Sequence, residues 1–148
     1  MSKKNLNRDF VRLLREVQKF LIAEPRSYDM KEGIVESEFL KTILEQPPCG
    51  TACCIAGAAY VIDTGMELNH SRKGFSAISG RLQQKFFLDD LTFYKLVYIG
   101  GLHAGIKPGK NGWPKFYTDM YLAAKTPLER ACVGVARIEH FIATDGQE

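Results

Sequence analysis

The stretch CGTACCIAGAAYVI, Cys49 to Ile62, decides how this chain of 148 residues folds. From Ala52 to Ile62 every residue is apolar or small, and a helix without a polar face is a buried helix. The pattern predicts a central helix over about residues 52–64. Thr51 would cap its start by accepting from the amide of Cys53 or Cys54, and Gly65 would close it in the left-handed cap conformation. Gly50, Cys54 and Ala58 recur at steps of four, as do Cys53 and Gly57. Such rows of small residues let a second helix approach closely. Ala131, Cys132, Gly134 and Ala136 supply a matching set in the last helix.

Helices are expected on both sides of this segment. Leu6, Phe10, Leu13, Leu14, Val17 and Leu21 return every three or four residues, the signature of a helix that buries one face. Pro25 stops it, since the residue before a proline is pushed out of the helical region. A second helix, from about Ser37 to Glu45, carries Phe39, Leu40, Ile43 and Leu44 and ends at Pro47 and Pro48. Phe75, Ile78, Leu82 and Phe86 predict a further helix, which Gly80 weakens by about 1 kcal/mol relative to alanine. The segment LTFYKLVYIG (91–100) suits a strand by composition. It reads better as a helix after an Asp90 cap, with Leu91, Tyr94 and Tyr98 on one side, because no neighbouring strand pattern exists to pair with it.

Residues 100–114 form a long glycine-rich loop, with Trp113 anchoring it to the core. Phe116, Met120 and Ala124 then mark a short helix. The last helix has the best start signal in the chain: Thr126 as N-cap, Pro127 at the first helical position and Glu129 completing a capping box. Leu128, Ala131, Cys132, Val135, Ile138 and Ile142 form its expected buried stripe. The expected fold is mainly α, one domain over residues 1–148, with about five to seven helices bundled around the central one.

Apolar residues make up 45% of the chain and charged residues 25%, a balance that excludes wholesale disorder. The net charge of +3 is small and dispersed. The longest basic clusters, Lys3-Lys4 and Arg72-Lys73, are not interleaved with aromatics, so nucleic acid is not an expected partner. No apolar stretch of a secretory signal follows the polar start MSKKNLNRDF. The longest uncharged run, Gln46 to Ile62, is too short and too broken by prolines and glycine to span a bilayer. A cytoplasmic location with reduced thiols is the expectation, since three clustered cysteines out of four do not resemble a secreted disulfide framework.

No complete enzyme motif is present. Any chemistry is expected at the start of the central helix, where orphan amides and the macrodipole make the surroundings electropositive. That position would favour a thiolate at Cys49 or Cys54, and an anion held near Gly50 and Thr51. His103, in the glycine-rich loop, is the first choice of base for either thiol. Against this stands the ordinary behaviour of cysteine as a small buried hydrophobe. Cys49 and Cys53 could supply two ligands of a zinc site, but no Cys-x2-Cys or His-x3-His pair completes it, so neither metal nor cofactor is expected. The loop GIKPGKN (105–111) departs from a phosphate-binding loop in its glycine spacing, in Asn111 where serine or threonine is required, and in lacking a preceding strand.

The nonapeptide CGTACCIAG (49–57) resembles a motif of small uncharacterised bacterial and phage-associated helical proteins, which read Cys-Gly-Thr, two small residues, Cys-Ile-Ala-Gly. Cys49, Gly50 and Thr51 match directly. Cys54 takes the second cysteine position, followed by Ile55, Ala56 and Gly57, and Cys53 is an extra thiol. AEPRSYDM (23–30) resembles the family's approach to the motif, although Lys31 to Pro48 is a longer insertion and Ala58 stands where an aromatic often follows. The resemblance covers about residues 6–65 and implies no activity. Two function classes stand side by side: a small helical binding or interaction module for a protein or a small anion, and a thiol-dependent enzyme or redox sensor.

Overall fold

The computed structural model describes residues 6–27, 34–36, 51–53, 55–65, 75–97 and 112–148. Among them are six α-helices: α1 (Arg8–Ala23), α2 (Ile55–Thr64), α3 (Phe75–Phe86), α4 (Asp90–Val97), α5 (Lys115–Ala123) and α6 (Pro127–Ala143). A short antiparallel ribbon joins β1 (Ile34–Glu36) to β2 (Thr51–Cys53), and one 3-10 turn, Pro25–Ser27, follows α1. The protein is a mainly α bundle, as its apolar periodicity requires. The helix expected over Ser37–Glu45 lies outside the described residues.

The first helix follows its sequence closely. Asn7 caps it, its side-chain oxygen accepting from the amides of Asp9 at 2.8 Å and Phe10 at 3.2 Å. Phe10, Leu13, Leu14, Val17 and Leu21 are buried, each contributing roughly 1.5–3 kcal/mol by leaving water. The helix stops at Ala23, two residues before Pro25. Its most extensive neighbour is α6 and its next is α2, while direct contact between α2 and α6 is slight. So α1, rather than the central helix, is the element that the other two share.

A polar bracket ties α1 to α6. Arg15 pairs with Glu139, and the Gln18 amide donates to the Val135 carbonyl at 3.1 Å and to the Glu139 carboxylate at 3.3 Å. The Arg15 hydrogen bond, seconded by Gln18, holds the Glu139 carboxyl below the usual carboxylate range. At the other end of the pair, the Leu6 amide donates to Asp145 Oδ1 at 2.8 Å. Gly146 has φ of +79°, and a Cβ there would stand 2.9 Å from the Leu6 side chain. The positive φ favours glycine there, and any side chain would have to push the Leu6 side chain aside.

The central helix is buried where the sequence says it should be, from Ile55 to Tyr60. It ends as expected too: Gly65 has φ of +71° and donates its amide to the Val61 carbonyl at 2.9 Å, an αL cap. Its start differs. Thr51–Cys53 is a strand whose register sets Cys53 opposite Ile34, Ala52 opposite Val35 and Thr51 opposite Glu36. Thr51 is therefore a paired strand residue and not the N-cap. The β-branched pair Ile34-Val35, which favours extended backbone, makes the ribbon, and no pattern local to Thr51 could reveal so distant a partner. Asp63, near the end of α2, takes Lys85 at 2.5 Å and Arg81 at 3.4 Å from α3.

The segment at 90–97 is a helix, but its cap is Asp89 rather than Asp90, with Oδ1 accepting from the Thr92 amide at 2.7 Å. It buries Phe93, Leu96 and Val97 and leaves Leu91 exposed. In α6, Thr126 Oγ1 accepts from the Glu129 amide at 3.1 Å as expected. The return bond is displaced by one residue, because the Glu129 carboxylate takes the Lys125 amide at 2.7 Å. The buried face of α6 comprises Ala131, Val133, Gly134, Arg137, Ile138 and Phe141. Of the expected stripe, Leu128 and Cys132 are exposed while Val135 and Ile142 are half-buried. The inward face is turned by about one residue around the helix, because Arg137 and Phe141 point inward. A single cluster of buried side chains draws on all six helices, and among the described residues no helix is long and apolar enough to cross a membrane.

Candidate functional site

Cys49, Gly50, Cys54 and His103 lie outside the described residues, so the thiol and its base rest on the sequence alone. Thr51 sits in β2, four residues before α2. The first amides of that helix belong to Ile55, Ala56 and Gly57, all of them buried. Cys132, expected to pack inside, is an exposed free thiol. No group of three His, Cys, Asp or Glu side chains able to hold a metal occurs among the described residues.

The structure does assemble a polar constellation where α4 ends between α5 and α6. The last carbonyls of any helix lack intrahelical partners. In α4 two consecutive ones are taken by side chains distant in sequence: Arg137 Nη2 donates to the Lys95 carbonyl at 2.9 Å, and Trp113 Nε1 donates to the Leu96 carbonyl at 2.6 Å. Trp113 is fully buried and meets Tyr121 edge-on at 5.8 Å, which makes it the expected core anchor. Arg137 is also 0% exposed. Its guanidinium lies 5.6 Å from the Tyr117 ring centre and 5.8 Å from that of Phe141, and Tyr117 in turn lies 5.5 Å from the His140 ring.

Burial pushes Arg137 down to about 10, against the opposing pull of Tyr117 and Glu148. The group therefore stays charged at neutral pH. The negative end of the α4 dipole and the two ring faces offset part of its desolvation. Its Nε and Nη1 atoms have no hydrogen-bond partner among the described residues. A buried cation with one neutral acceptor costs several kcal/mol, by order of magnitude. The sequence signal for it was an arginine set among Gly134, Ile138 and Phe141 on one face of α6.

A second feature lies on α5. Thr118 and Tyr121 face the core, while Phe116 is 68% exposed, Met120 38% and Leu122 56%. Phe116 and Met120 stand one turn apart on the side opposite Thr118. The row that identified this helix in the sequence thus faces outward. The Lys115–Asp119 ion pair, at 2.7 Å, runs beside it.

No family model, curated protein or solved structure matches the chain, so its functional reading stands on this geometry and on the sequence.

Proposed function

We propose that the chain is a small helical binding module that docks another polypeptide on the outer face of α5. The observation that carries this reading is the inverted helix: Thr118 is buried while Phe116 and Met120, one turn apart on the opposite side, face solvent. Single exposed apolar residues are ordinary. An i, i+4 pair of large apolar side chains, on a helix already packed on its other side, offers a partner a continuous contact row. An amphipathic helix laid along the row would bury both side chains, as in other helix-recognition modes. Lys115 and Asp119 beside it offer one charge of each sign for setting the register.

The test separates docking from folding. The double variant Phe116→Ser, Met120→Ser should keep its urea midpoint, with a change within about 0.5 kcal/mol. A photo-crosslinking residue at position 116 should yield a discrete protein adduct that Met120→Asp abolishes, while the same probe at exposed Lys19 yields none. Equal labelling from both positions, or a large loss of stability in the double variant, would refute the docking face.

A further inference from the structure

We propose that Arg137 is the floor of an oxyanion-binding site at the junction of α4, α5 and α6, with the Tyr117 ring as its cover. This is independent of the docking face, because it rests on different side chains and points inward. The guanidinium is completely buried, yet among the described residues it makes a single hydrogen bond, to a neutral carbonyl. Nε and Nη1 hold donors with no acceptor among the described residues. Glu148 acts on the charge through space without a hydrogen bond.

A buried cation with unused donors is the most costly arrangement of a polar side chain, and an anion removes most of that cost. The chemistry of the floor selects the ligand. A guanidinium offers planar N–H donors suited to the oxygens of a carboxylate or phosphate, and the apolar walls of Phe141 and Tyr117 strengthen the attraction by excluding water. Access is also built in. Tyr117 and His140 are both only half-buried and lie ring against ring on the seam between α5 and α6. The Tyr117 ring lies between the guanidinium and that seam, so a swing of this side chain is the route by which an anion would enter, with the His140 imidazole beside it.

Trp113, the sole tryptophan, supplies the readout. Its indole holds the Leu96 carbonyl, next to the Lys95 carbonyl that Arg137 holds. The full chain is titrated with inorganic phosphate and, separately, with acetate, at constant ionic strength in chloride, while Trp113 fluorescence is followed. A saturable change is expected, half-saturating at least tenfold higher in Arg137→Met and unmoved in Arg81→Met, whose guanidinium instead pairs with Asp63 of α2. Tighter phosphate than acetate assigns a phosphate-type ligand, and the reverse a carboxylate. If Arg137→Met does not fold by circular dichroism, Arg137→Lys, which keeps the charge and loses the planar donors, must show the same tenfold weakening. No saturable response to either anion, or a response that survives in the Arg137 variants, would overturn the site and leave the guanidinium as a structural cap of α4.

Discussion

Replacing Trp113 by phenylalanine isolates the clamp on α4. The variant keeps a six-membered ring in the core but removes the N–H that reaches the Leu96 carbonyl at 2.6 Å. That carbonyl is then left buried without its partner, a loss of about 1–3 kcal/mol. The void from the missing part of the indole, at about 24 cal/mol per Å3, adds roughly 1 kcal/mol. The sum is about 2–4 kcal/mol, which for a chain of this size lowers the thermal midpoint by roughly 4–16 °C. Because the only tryptophan is lost, urea unfolding should be followed by far-UV circular dichroism, with an unchanged m-value confirming that stability alone has moved. Amide exchange in the last turn of α4 should rise more than in α1, which reports only the global change. A loss below about 0.5 kcal/mol would refute the reasoning, since it would mean that the Leu96 carbonyl finds water and that Trp113 merely fills space.

Thr126→Ala should cost about 1 kcal/mol, the usual value of an N-cap, read from the urea midpoint; no loss would mean that Pro127 and Glu129 suffice to start α6. Gly146→Ala should cost roughly 1–3 kcal/mol through its contact with Leu6 and its positive φ. Leu6→Ala in the same chain should recover part of that, and strict additivity of the two would disprove the contact. The Arg15 hydrogen bond lowers the pKa of Glu139 in the folded chain, so its contribution is present at neutral pH and is lost as pH falls through that lowered value. Since Arg15 and Glu139 are both about half-exposed, Glu139→Gln should remove less than about 1 kcal/mol at pH 7 and flatten the acid limb of the stability curve; an unaltered acid limb would sink the assignment.

What could be read from the sequence was what local patterns encode. The α1 stripe, the Thr126 cap, the Gly65 stop and the burial of Ile55–Tyr60 all follow from spacing within a few turns. Thr51 reads locally as a helix cap because its strand partner, Ile34–Glu36, lies well upstream and only pairing makes either segment extended. The inward faces of α4 and α6 differ from those their local spacing suggests for a related reason. Apolar residues ring both helices, and tertiary neighbours chose Phe93 and Leu96 over Leu91, and Phe141 with Arg137 over Leu128 and Cys132. Composition favoured apolar residues at those positions, so a buried arginine was the hardest feature to foresee. The Trp113 anchor was legible, but its acceptor was not. In α5 the periodicity identified the helix correctly and could not tell which side met the core.

The bond between Leu6 and Asp145 sets a timetable for biosynthesis. The two residues are 139 positions apart, so at about 5–20 residues per second the start of α1 leaves the ribosome roughly 7–28 seconds before its clasp exists. Over most of that interval α2 is the major helical neighbour that α1 can find, and the part of its apolar stripe destined for α6 stays in water. The nascent chain therefore carries part of the α1 stripe as a sticky, half-covered surface until α6 is made. That surface is what a chaperone holding the growing chain would grip.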